Sequence, residues 1–343
     1  MKKDIKKGYF RYPAIHKNKI VFTAEGDLWT CGIKGGTAQR ITSHHSSETN
    51  AKISPDGNFI AFTGRYEGTP EVYIIPMVGG LPKRLTFNID AARVVNWTAD
   101  GKIIYCSNKS TGLPNSRLFI IDPETLKETP VKLNQASDGI YDGSQKNLYF
   151  TRLPFQGSHT KRYKGGFIEQ LWKFDGKKKA IPLTASFSGT SKAPMLFKER
   201  IYFASDRDGT MNVWSMNTTG KNLKQHTFHK DFDIRYPDHH NGKIIYQIAG
   251  EIHIYEIENN KSVKIGITLI SDFDQTREKW ISKPLDYLTD YDIPSDGSSL
   301  LLTSRGRVFS MPAKKGRLIH AAGKEGVRYK HAVYMPDYKS FLS

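Results

Sequence analysis

The residues best suited to chemistry lie in one short stretch that reads KRYKGG. Lys161, Arg162 and Lys164 gather three cations around Tyr163, and two glycines follow them. An arginine can grip a carboxylate with two parallel hydrogen bonds, and glycine lets a backbone fold toward a ligand. We therefore name these three cations as candidate peptide-binding residues. The same cations would also suit a solvated loop or a contact with another domain, and the sequence leaves both alternatives open.

Histidines and carboxylates raise the question of a metal site. The histidine-rich phrases are His44-His45, His226 to His229 and His239-His240. Neighbouring residues on a strand point to opposite faces, so an adjacent pair does not readily share one metal ion. The turn Asp206 to Gly209 lacks the further carboxylates of a calcium loop, and we expect a hairpin turn with an internal ion pair there. We predict no metal ligand and no cofactor.

The sequence carries no recognisable catalytic motif. The chain lacks the Gly-x-Ser-x-Gly pattern of a nucleophile elbow, and we find no helix-period segment that could support one. Serine, histidine and aspartate are abundant, but abundance alone does not indicate a triad. We name no catalytic residue, and the chain by itself is not expected to be an enzyme.

A recurring turn-and-strand phrase identifies the elements that must position these residues. It reads SPDGNFIAF from Ser54, TADGKIIYC from Thr98, PSDGSSLLL from Pro294 and MPDYKSFLS from Met335. Short β-branched or aromatic runs follow each turn, and glycine, aspartate, asparagine or proline bounds them. The aspartates of the first two phrases lie 44 residues apart. A period in the forties with four short strands per unit is typical of a β-propeller blade.

The blade count predicts an all-β fold. We expect a six-bladed β-propeller of four-stranded antiparallel blades, followed by the truncated start of a second propeller. The predicted boundaries are an N-terminal segment at 1–17, the propeller at 18–270, a linker at 271–285 and an incomplete first blade or blades at 286–343. The KRYKGG stretch falls in an insertion of the fourth blade.

The composition and net charge limit the classes of partner that the protein could bind. The 343 residues are 38% hydrophobic, which supports a folded core, and carry a formal charge of +17. That charge is compatible with nucleic acid, an anionic surface or an anionic peptide. Because it is scattered, we favour lysines that solvate loops, and we do not expect nucleic acid as a partner. No apolar run is long enough for a membrane span, and two cysteines cannot make a disulfide framework. We expect a cytoplasmic protein, or a periplasmic one if a signal peptide has been removed.

Several longer phrases resemble the tricorn protease family along nearly the whole chain. The most specific are HKNKIVFTAEGDLWTCGIKGGTAQRIT from His16, TKRYKGGFIEQLWKFD from Thr160 and RIYFASDRDGTMNVWSMNTTGKNLKQHTFHKDFDIRYP from Arg200. The resemblance implies a six-bladed propeller ahead of a second propeller and of the serine-protease domains. In the family the propellers are thought to filter and conduct unfolded peptides. The resemblance thus implies peptides, unfolded segments and the remaining protease domains as partners. Unpaired strand edges of an incomplete second propeller would in addition promote association, so a homo-oligomer is also expected.

One further residue follows from the resemblance. The archaeal members hold a peptide C-terminus with an arginine pair near the start of the third blade, where this sequence has only Arg93. We add Arg93 to the candidate peptide-binding residues. A second function remains open, namely a free-standing TolB-like propeller that binds a protein or a peptide, because propellers host many functions.

Overall fold

The computed structural model describes residues 9–111, 115–153, 162–273, 280–324 and 326–343. The chain divides into two compact units, Met1–Phe273 and Asp274–Ser343. None of the helices in the described residues is long and apolar enough to cross a membrane.

The first unit contains six sheets, each with four antiparallel strands that form a blade, and we number the blades 1 to 6 in chain order. Blade 1 contains β1 (Arg11–His16), β2 (Lys19–Ala24), β3 (Asp27–Gly32) and β4 (Gly35–Arg40). Blade 2 contains β5 (Glu48–Ile53), β6 (Phe59–Gly64), β7 (Glu71–Pro76) and β8 (Lys83–Arg84). Blade 3 contains β9 (Ala92–Trp97), β10 (Ile103–Ser107), β11 (Arg117–Ile121) and β12 (Glu128–Pro130).

The remaining blades follow the same plan. Blade 4 contains β13 (Asp138–Tyr141), β14 (Leu148–Thr151), β15 (Leu171–Phe174) and β16 (Ile181–Pro182). Blade 5 contains β17 (Ser191–Phe197), β18 (Arg200–Ser205), β19 (Asn212–Asn217) and β20 (Lys224–Gln225). Blade 6 contains β21 (Arg235–His240), β22 (Lys243–Ile248), β23 (Glu251–Glu256) and β24 (Lys261–Lys264), and β25 (Ile267–Leu269) follows it. The predicted all-β fold with six four-stranded antiparallel blades is confirmed.

The recurring phrase forms the turn between the first two strands of a blade. In blade 2, the Gly57 amide donates to the Ser54 carbonyl at 2.9 Å, and the Asp56 carboxylate accepts from the Asn58 amide at 3.0 Å. Gly57 has a φ of 84°, and a Cβ there would lie 2.5 Å from the ring of His16. The glycine is therefore needed both for its left-handed conformation and for the close approach of blade 1.

The core lies between the blades. Each pair of neighbouring blades shares one cluster of buried apolar side chains in the described residues. Between blades 6 and 1, for example, Ile252 and Ile254 pack with Ile20, Phe22 and Trp29. At about 25 cal/mol per Å² of buried apolar surface, these six clusters supply most of the force that holds the ring together.

The ring closes through β1 and β25. The Phe10 amide donates to the Gly250 carbonyl of blade 6 at 2.8 Å, and β25 pairs in parallel with β4 of blade 1. The propeller thus begins at Arg11 and not at residue 18, so part of the predicted N-terminal segment is a strand. The sequence concealed this strand because Pro13 and a bulge at Tyr12, with a φ of 50°, break the alternating pattern.

Asp238 on β21 joins three blades near this closure. Its carboxylate accepts the Ile15 amide of blade 1 at 3.0 Å and the Lys52 ammonium of blade 2 at 2.6 Å. The side chains of Asp238 and Lys52 are 14% and 19% exposed, so this pair is weakly screened by water.

A buried polar chain joins blades 5 and 6. The Ser215 hydroxyl lies 2.7 Å from His226 Nε2, and His226 Nδ1 lies 2.9 Å from the Tyr255 hydroxyl, which donates to Asn260 at 2.7 Å. Burial lowers the pKa of His226 to about 4. Burial also lowers the pKa of His239 to about 4, where its ring lies 5.3 Å from that of Phe197 on blade 5. The folded state therefore holds both rings neutral.

The second unit is built on a seventh four-stranded antiparallel sheet. A 3-10 helix at Pro284–Tyr287 precedes β26 (Leu288–Asp292), β27 (Ser299–Ser304), β28 (Arg307–Pro312) and β29 (Ile319–Ala322). The two-stranded ladder of β30 (Val333–Tyr334) and β31 (Phe341–Leu342) follows. The buried apolar core of the second unit consists of Leu301, Val308 and Ala332.

We predict that Asp238→Asn destabilises the propeller by about 2–3 kcal/mol, because asparagine keeps only one acceptor oxygen for the two donors and removes the charge that pairs with the half-buried Lys52 ammonium. Asp100→Asn is the matched control, since it makes the same change in an exposed pair with Lys102 at 2.8 Å. The control substitution should lower the free energy of unfolding by less than about 1 kcal/mol. Urea unfolding followed by tryptophan fluorescence measures both, and equal costs would contradict a closing role for Asp238.

We also predict that stability falls as the pH falls from about 6.5 toward 5. In this window an unfolded histidine binds a proton, with its ordinary pKa of 6.5, whereas folded His226 and His239 do not. The unfolded state then holds more protons, so acidification favours it. Urea midpoints across this range should fall less steeply for His226→Gln than for the wild type. The exposed-site control His45→Gln should keep the wild-type slope, and an unchanged slope in His226→Gln would refute the prediction.

Candidate functional site

Six first strands surround the propeller axis, because β1, β5, β9, β13, β17 and β21 contact one another in turn around the ring. On each of them one residue pairs with the last-but-one residue of the second strand. These equivalent residues are Arg11, Thr49, Arg93, Gly139, Lys192 and Arg235. Four of the six are cations, and we call Arg11, Arg93, Lys192 and Arg235 the axial cations. The fold therefore concentrates positive charge near the axis.

The axial cations differ in how their charge is compensated. Lys192 forms an ion pair with the buried carboxylate of Glu169 at 3.2 Å, and burial raises the pKa of Glu169. Half-buried Arg93 donates from Nη2 to the Ser137 carbonyl of blade 4 at 2.5 Å. Arg235 is exposed and takes part in no ion pair within the described ranges. Arg11 likewise forms no ion pair within the described ranges. Arg11, Arg93 and Arg235 are therefore the axial cations without a directly paired carboxylate, and Arg235 is the most exposed of the three.

Two tyrosines lie beside this charge. The rings of Tyr12 and Tyr236 are 4.1 Å apart, and Arg11 lies 5.7 Å from the Tyr12 ring. Burial, followed by the hydrogen bond with Tyr236, raises the pKa of Tyr12 to about 12, although the nearby charges of Arg11 and Arg93 partly offset this. Both tyrosines have positive φ, 50° and 48°, in bulges that precede a proline. Asn50 of blade 2 and Ala193 of blade 5, at the equivalent position, also have a φ of 53°, so this conformation belongs to the bulge of the first strand.

The insertion of blade 4 contributes a separate cavity of about 310 Å³, which Arg162 and Lys164 line together with Asp206 and Asp208. Arg162 Nε donates to the Gly209 carbonyl of blade 5 at 2.9 Å. The third candidate of this stretch, Lys161, lies outside the described residues. This loop cavity therefore holds both signs of charge, and Arg93 does not line it.

The aspartate-rich turn of blade 5 is a hairpin turn, but Arg207 does not make the predicted ion pair within it. Its guanidinium lies 4.2 Å from the Phe187 ring centroid, and burial lowers its pKa. The Asp206 carboxylate accepts the Thr190 amide at 2.8 Å. The Asp206 carboxylate is thus bonded to backbone, while the Arg207 guanidinium stacks on the Phe187 ring.

The histidines lie in structural contacts. His44 and His45 stack at 4.2 Å, and His240 packs against His16 at 4.3 Å. Within the ranges given above, no three His, Cys, Asp or Glu side chains are arranged to hold a metal ion. The contact between Ser215 and His226 does not make a nucleophile, because Ser215 is fully buried and accepts two hydrogen bonds from Arg200, at 3.0 and 2.8 Å.

Sequence reasoning found one of the four axial cations. Arg93 was named through the family resemblance, whereas Arg11, Lys192 and Arg235 were not named. Their common feature is their register on the first strand, which becomes visible once the six first strands are aligned by their pairing. In the sequence, a basic residue two positions before a proline marks Arg11, Lys192 and Arg235 alike.

Comparison with known proteins agrees with this architecture. Residues 7–261 match the family described as the tricorn protease N-terminal beta propeller domain. A tricorn protease homolog of Saccharolobus solfataricus is 28% identical over 340 residues, which cover 96% of this chain and 31% of the relative. The chain thus spans about a third of the length of that relative.

Solved structures show the same fold. The crystal structure of the tricorn protease superposes with a TM-score of 0.75 at 24% identity, over 95% of this chain and 32% of the other. A putative TolB from Agrobacterium tumefaciens superposes with a TM-score of 0.53 at 19% identity, over 64% of this chain and 80% of the other. Since the family match takes in nearly the whole six-bladed ring, this chain belongs to the tricorn protease family through its N-terminal β-propeller.

Proposed function

We propose that this chain is the non-catalytic propeller part of a tricorn-like serine protease, where it guides or filters peptides through its central channel and docks the catalytic domains. The observation that carries this proposal is the set of axial cations, because four of six equivalent positions around the axis are Arg or Lys. A peptide that travels through such a channel meets positive charge that attracts its C-terminal carboxylate.

The chemistry of the axial cations and of the two tyrosines beside them favours the C-terminal carboxylate of a peptide as ligand. A guanidinium offers a planar pair of donors that matches a carboxylate, and the phenols of Tyr12 and Tyr236 add polar groups beside it. Glu169 already compensates Lys192. Arg11, Arg93 and Arg235 thus supply the charge that a peptide terminus would neutralise.

The order of the strands in each blade indicates which face of the propeller could dock the catalytic domains. In an antiparallel meander, the connections between second and third strands share one face with the connections between blades. Large apolar side chains are exposed on this face, namely Phe87, Ile89, Phe228 and Phe232, at 68%, 93%, 67% and 57%. Exposed apolar groups favour a protein contact. We propose that the catalytic domains cover this face.

The alternative is a free-standing TolB-like propeller that binds a protein or a peptide, and the shared propeller fold supports it. The two functions differ in the state of the docking face. In a protease part, the apolar side chains of that face are covered by other domains, whereas a free-standing module keeps them available to an outside partner.

We predict that a peptide with neutral side chains binds about three- to tenfold more tightly as its free acid than as its amide, because only the acid can pair with Arg93 and Arg235. Arg93→Gln and Arg235→Gln should each reduce this preference. Lys177→Gln, which removes an exposed cation at the outer edge of blade 4, is the matched control and should keep it. Fluorescence anisotropy titrations measure the ratio, and equal affinity of the wild type for acid and amide would overturn the proposal.

The loop cavity should contribute less to peptide binding than the axial cations do. Arg162→Ala is expected to weaken binding of a peptide with a free or acidic end by about fivefold at most, because each contact on an exposed loop is worth about 1 kcal/mol or less. Asp206 and Asp208 also repel an anion there. The effect should shrink as salt is added. Titration of the acid and its amide against Arg162→Ala at low and moderate salt tests this, and unchanged affinity at low salt would mark the loop as a solvated surface or an interdomain contact.

A further inference from the structure

Two tyrosine rings lie at the central channel, both on the same side of it. Tyr12 and Tyr236 belong to the first strands of blades 1 and 6, and the first strands surround the axis. Neither ring takes part in the apolar clusters that fill the spaces between neighbouring blades. A first-strand side chain that stays out of these clusters is left with the channel as its surroundings. We call these two side chains the tyrosine pair.

The remaining first strands place no aromatic ring at the equivalent position. Asn50 and Ala193 occupy the bulges of blades 2 and 5. The bulge of blade 3 places Val95 in a buried cluster, and the first strand of blade 4 pairs without a bulge. In a ring of six blades, blades 3 and 4 lie across the axis from blades 6 and 1. Among the first strands, aromatic rings therefore line one wall of the channel, and the tyrosine pair forms that wall.

A cation lies across the axis from this wall. Arg93 is the axial cation of blade 3, and its neighbour in blade 4 at the same level is Gly139, which has no side chain. Burial raises the pKa of Tyr12 to about 12, and the charges of Arg11 and Arg93 partly offset that rise. Because Arg93 belongs to blade 3, its effect on Tyr12 indicates that the guanidinium and the phenol face a common space. A ligand in that space would meet positive charge on one side and aromatic rings on the other.

On the aromatic wall, each tyrosine follows an arginine in the sequence. The Arg11 guanidinium lies 5.7 Å from the Tyr12 ring centroid and 5.8 Å from that of Tyr9, so rings already contact this cation. Arg235 precedes Tyr236 in the same kind of bulge, and both are exposed, Tyr236 to 40%. Tyr236 therefore keeps ring surface available to a ligand, next to an exposed guanidinium.

The chemistry of this wall distinguishes between ligand side chains. Aromatic rings attract one another in edge-to-face and offset arrangements, and this attraction adds to the burial of apolar surface. The Tyr12 and Tyr236 rings pair in this way, with their centroids 4.1 Å apart and their planes tilted by 46°. The exposed part of Tyr236 can accept a third ring, whereas an aliphatic side chain would gain only burial there. A carboxylate attached next to that third ring would lie close to Arg235.

We propose that the tyrosine pair is a subsite for an aromatic side chain on the C-terminal residue of a bound peptide. The proposal rests on the proposed function, since it assigns a side-chain preference to the peptides whose terminal carboxylate the axial cations attract. Tyr12 and Tyr236 are then specificity-determining residues, while the arginines beside them bind the charge. Peptides that end in phenylalanine or tyrosine are the preferred class.

The test uses the full chain and glycine–serine peptides that carry a fluorophore at the N-terminus and differ only in the last residue. One peptide ends in phenylalanine, and the other ends in cyclohexylalanine, which has a similar outline but is more apolar and not aromatic. Burial alone would favour cyclohexylalanine, so tighter binding of the phenylalanine peptide isolates the aromatic contact. We expect the phenylalanine peptide to bind about three- to tenfold more tightly in fluorescence anisotropy titrations.

Two further probes locate the contact. A peptide with its phenylalanine moved away from the C-terminus should lose the advantage, because its ring no longer lies next to the terminal carboxylate. Each peptide is also titrated as its amide. The ratio of acid to amide affinity reports on the axial cations, whereas the ratio of phenylalanine to cyclohexylalanine affinity reports on the tyrosine pair. Failure of one proposal is thereby distinguished from failure of the other.

Tyr236→Asn removes the exposed ring, and asparagine suits the backbone because Asn50 has a φ of 53° in the equivalent bulge. The preference for phenylalanine should fall to about twofold or less, while the acid-to-amide ratio stays within about twofold of the wild type. Tyr236→Phe keeps the ring and should keep the preference. The matched control Tyr291→Asn removes a tyrosine of the second unit that is 63% exposed, and it should leave both ratios unchanged. Circular dichroism melting verifies that each variant is folded.

Three outcomes would overturn the proposal. The first is equal or tighter binding of the cyclohexylalanine peptide, which would indicate a plain apolar contact. The second is an unchanged preference in Tyr236→Asn together with a lower melting temperature, which would indicate that the tyrosine pair only joins blades 6 and 1. The third is the absence of binding by every peptide, which would overturn this subsite and the proposed function together.

Discussion

The rest of the structure depends on the packing of β1 between blade 6 and blade 2. A ring of sheets buries all its faces only when the last blade packs against the first. Here β1 carries Ile15 into the cluster shared with blade 6, while its main chain is held by Asp238. Parallel pairing of β25 with β4 adds a second, backbone connection across the same junction. Closure therefore rests on apolar burial and the Asp238 hydrogen bond between the first strands, and on the backbone pairing of β25 with the outermost strand of blade 1.

A repeated hydrogen-bond clasp keeps the individual blades in register. In blade 2, the Val72 amide donates to the Thr86 hydroxyl at 2.9 Å, and the Asn88 amide donates to the Glu71 carboxylate at 2.6 Å. The same spacings of 14 and 17 residues recur in blade 1, through Thr42 and Asp27, and in blade 5, through Thr227 and Asn212. The clasp satisfies buried amides where the chain leaves one blade for the next, so the loops of that face start from fixed points.

The sequence predicted the elements whose signals are local. Alternation and turn residues identified strands such as β2, β6 and β18, and the SPDG turn at Ser54 was read correctly because its glycine and aspartate act within a few residues. It did not predict β1, because Pro13 and the bulge at Tyr12 hide a strand that tertiary packing stabilises. The same limit applies to the candidate site residues. Cations adjacent in sequence were found at once, whereas Arg11 and Arg235 became neighbours only through ring closure.

A strongly basic chain can form this ring because its charged side chains lie away from the apolar clusters that hold the blades together. The clusters between blades are apolar, and buried carboxylates such as those of Glu48, Glu71 and Glu169 are held by hydrogen bonds or ion pairs. The cations lie instead at the axis, in the turns and at strand ends, where water or a carboxylate such as Glu169 screens them. Repulsion among charges at those places costs little stability, since water surrounds most of them. Positive charge can therefore accumulate at the axis and at sheet ends without a change in the packing between blades.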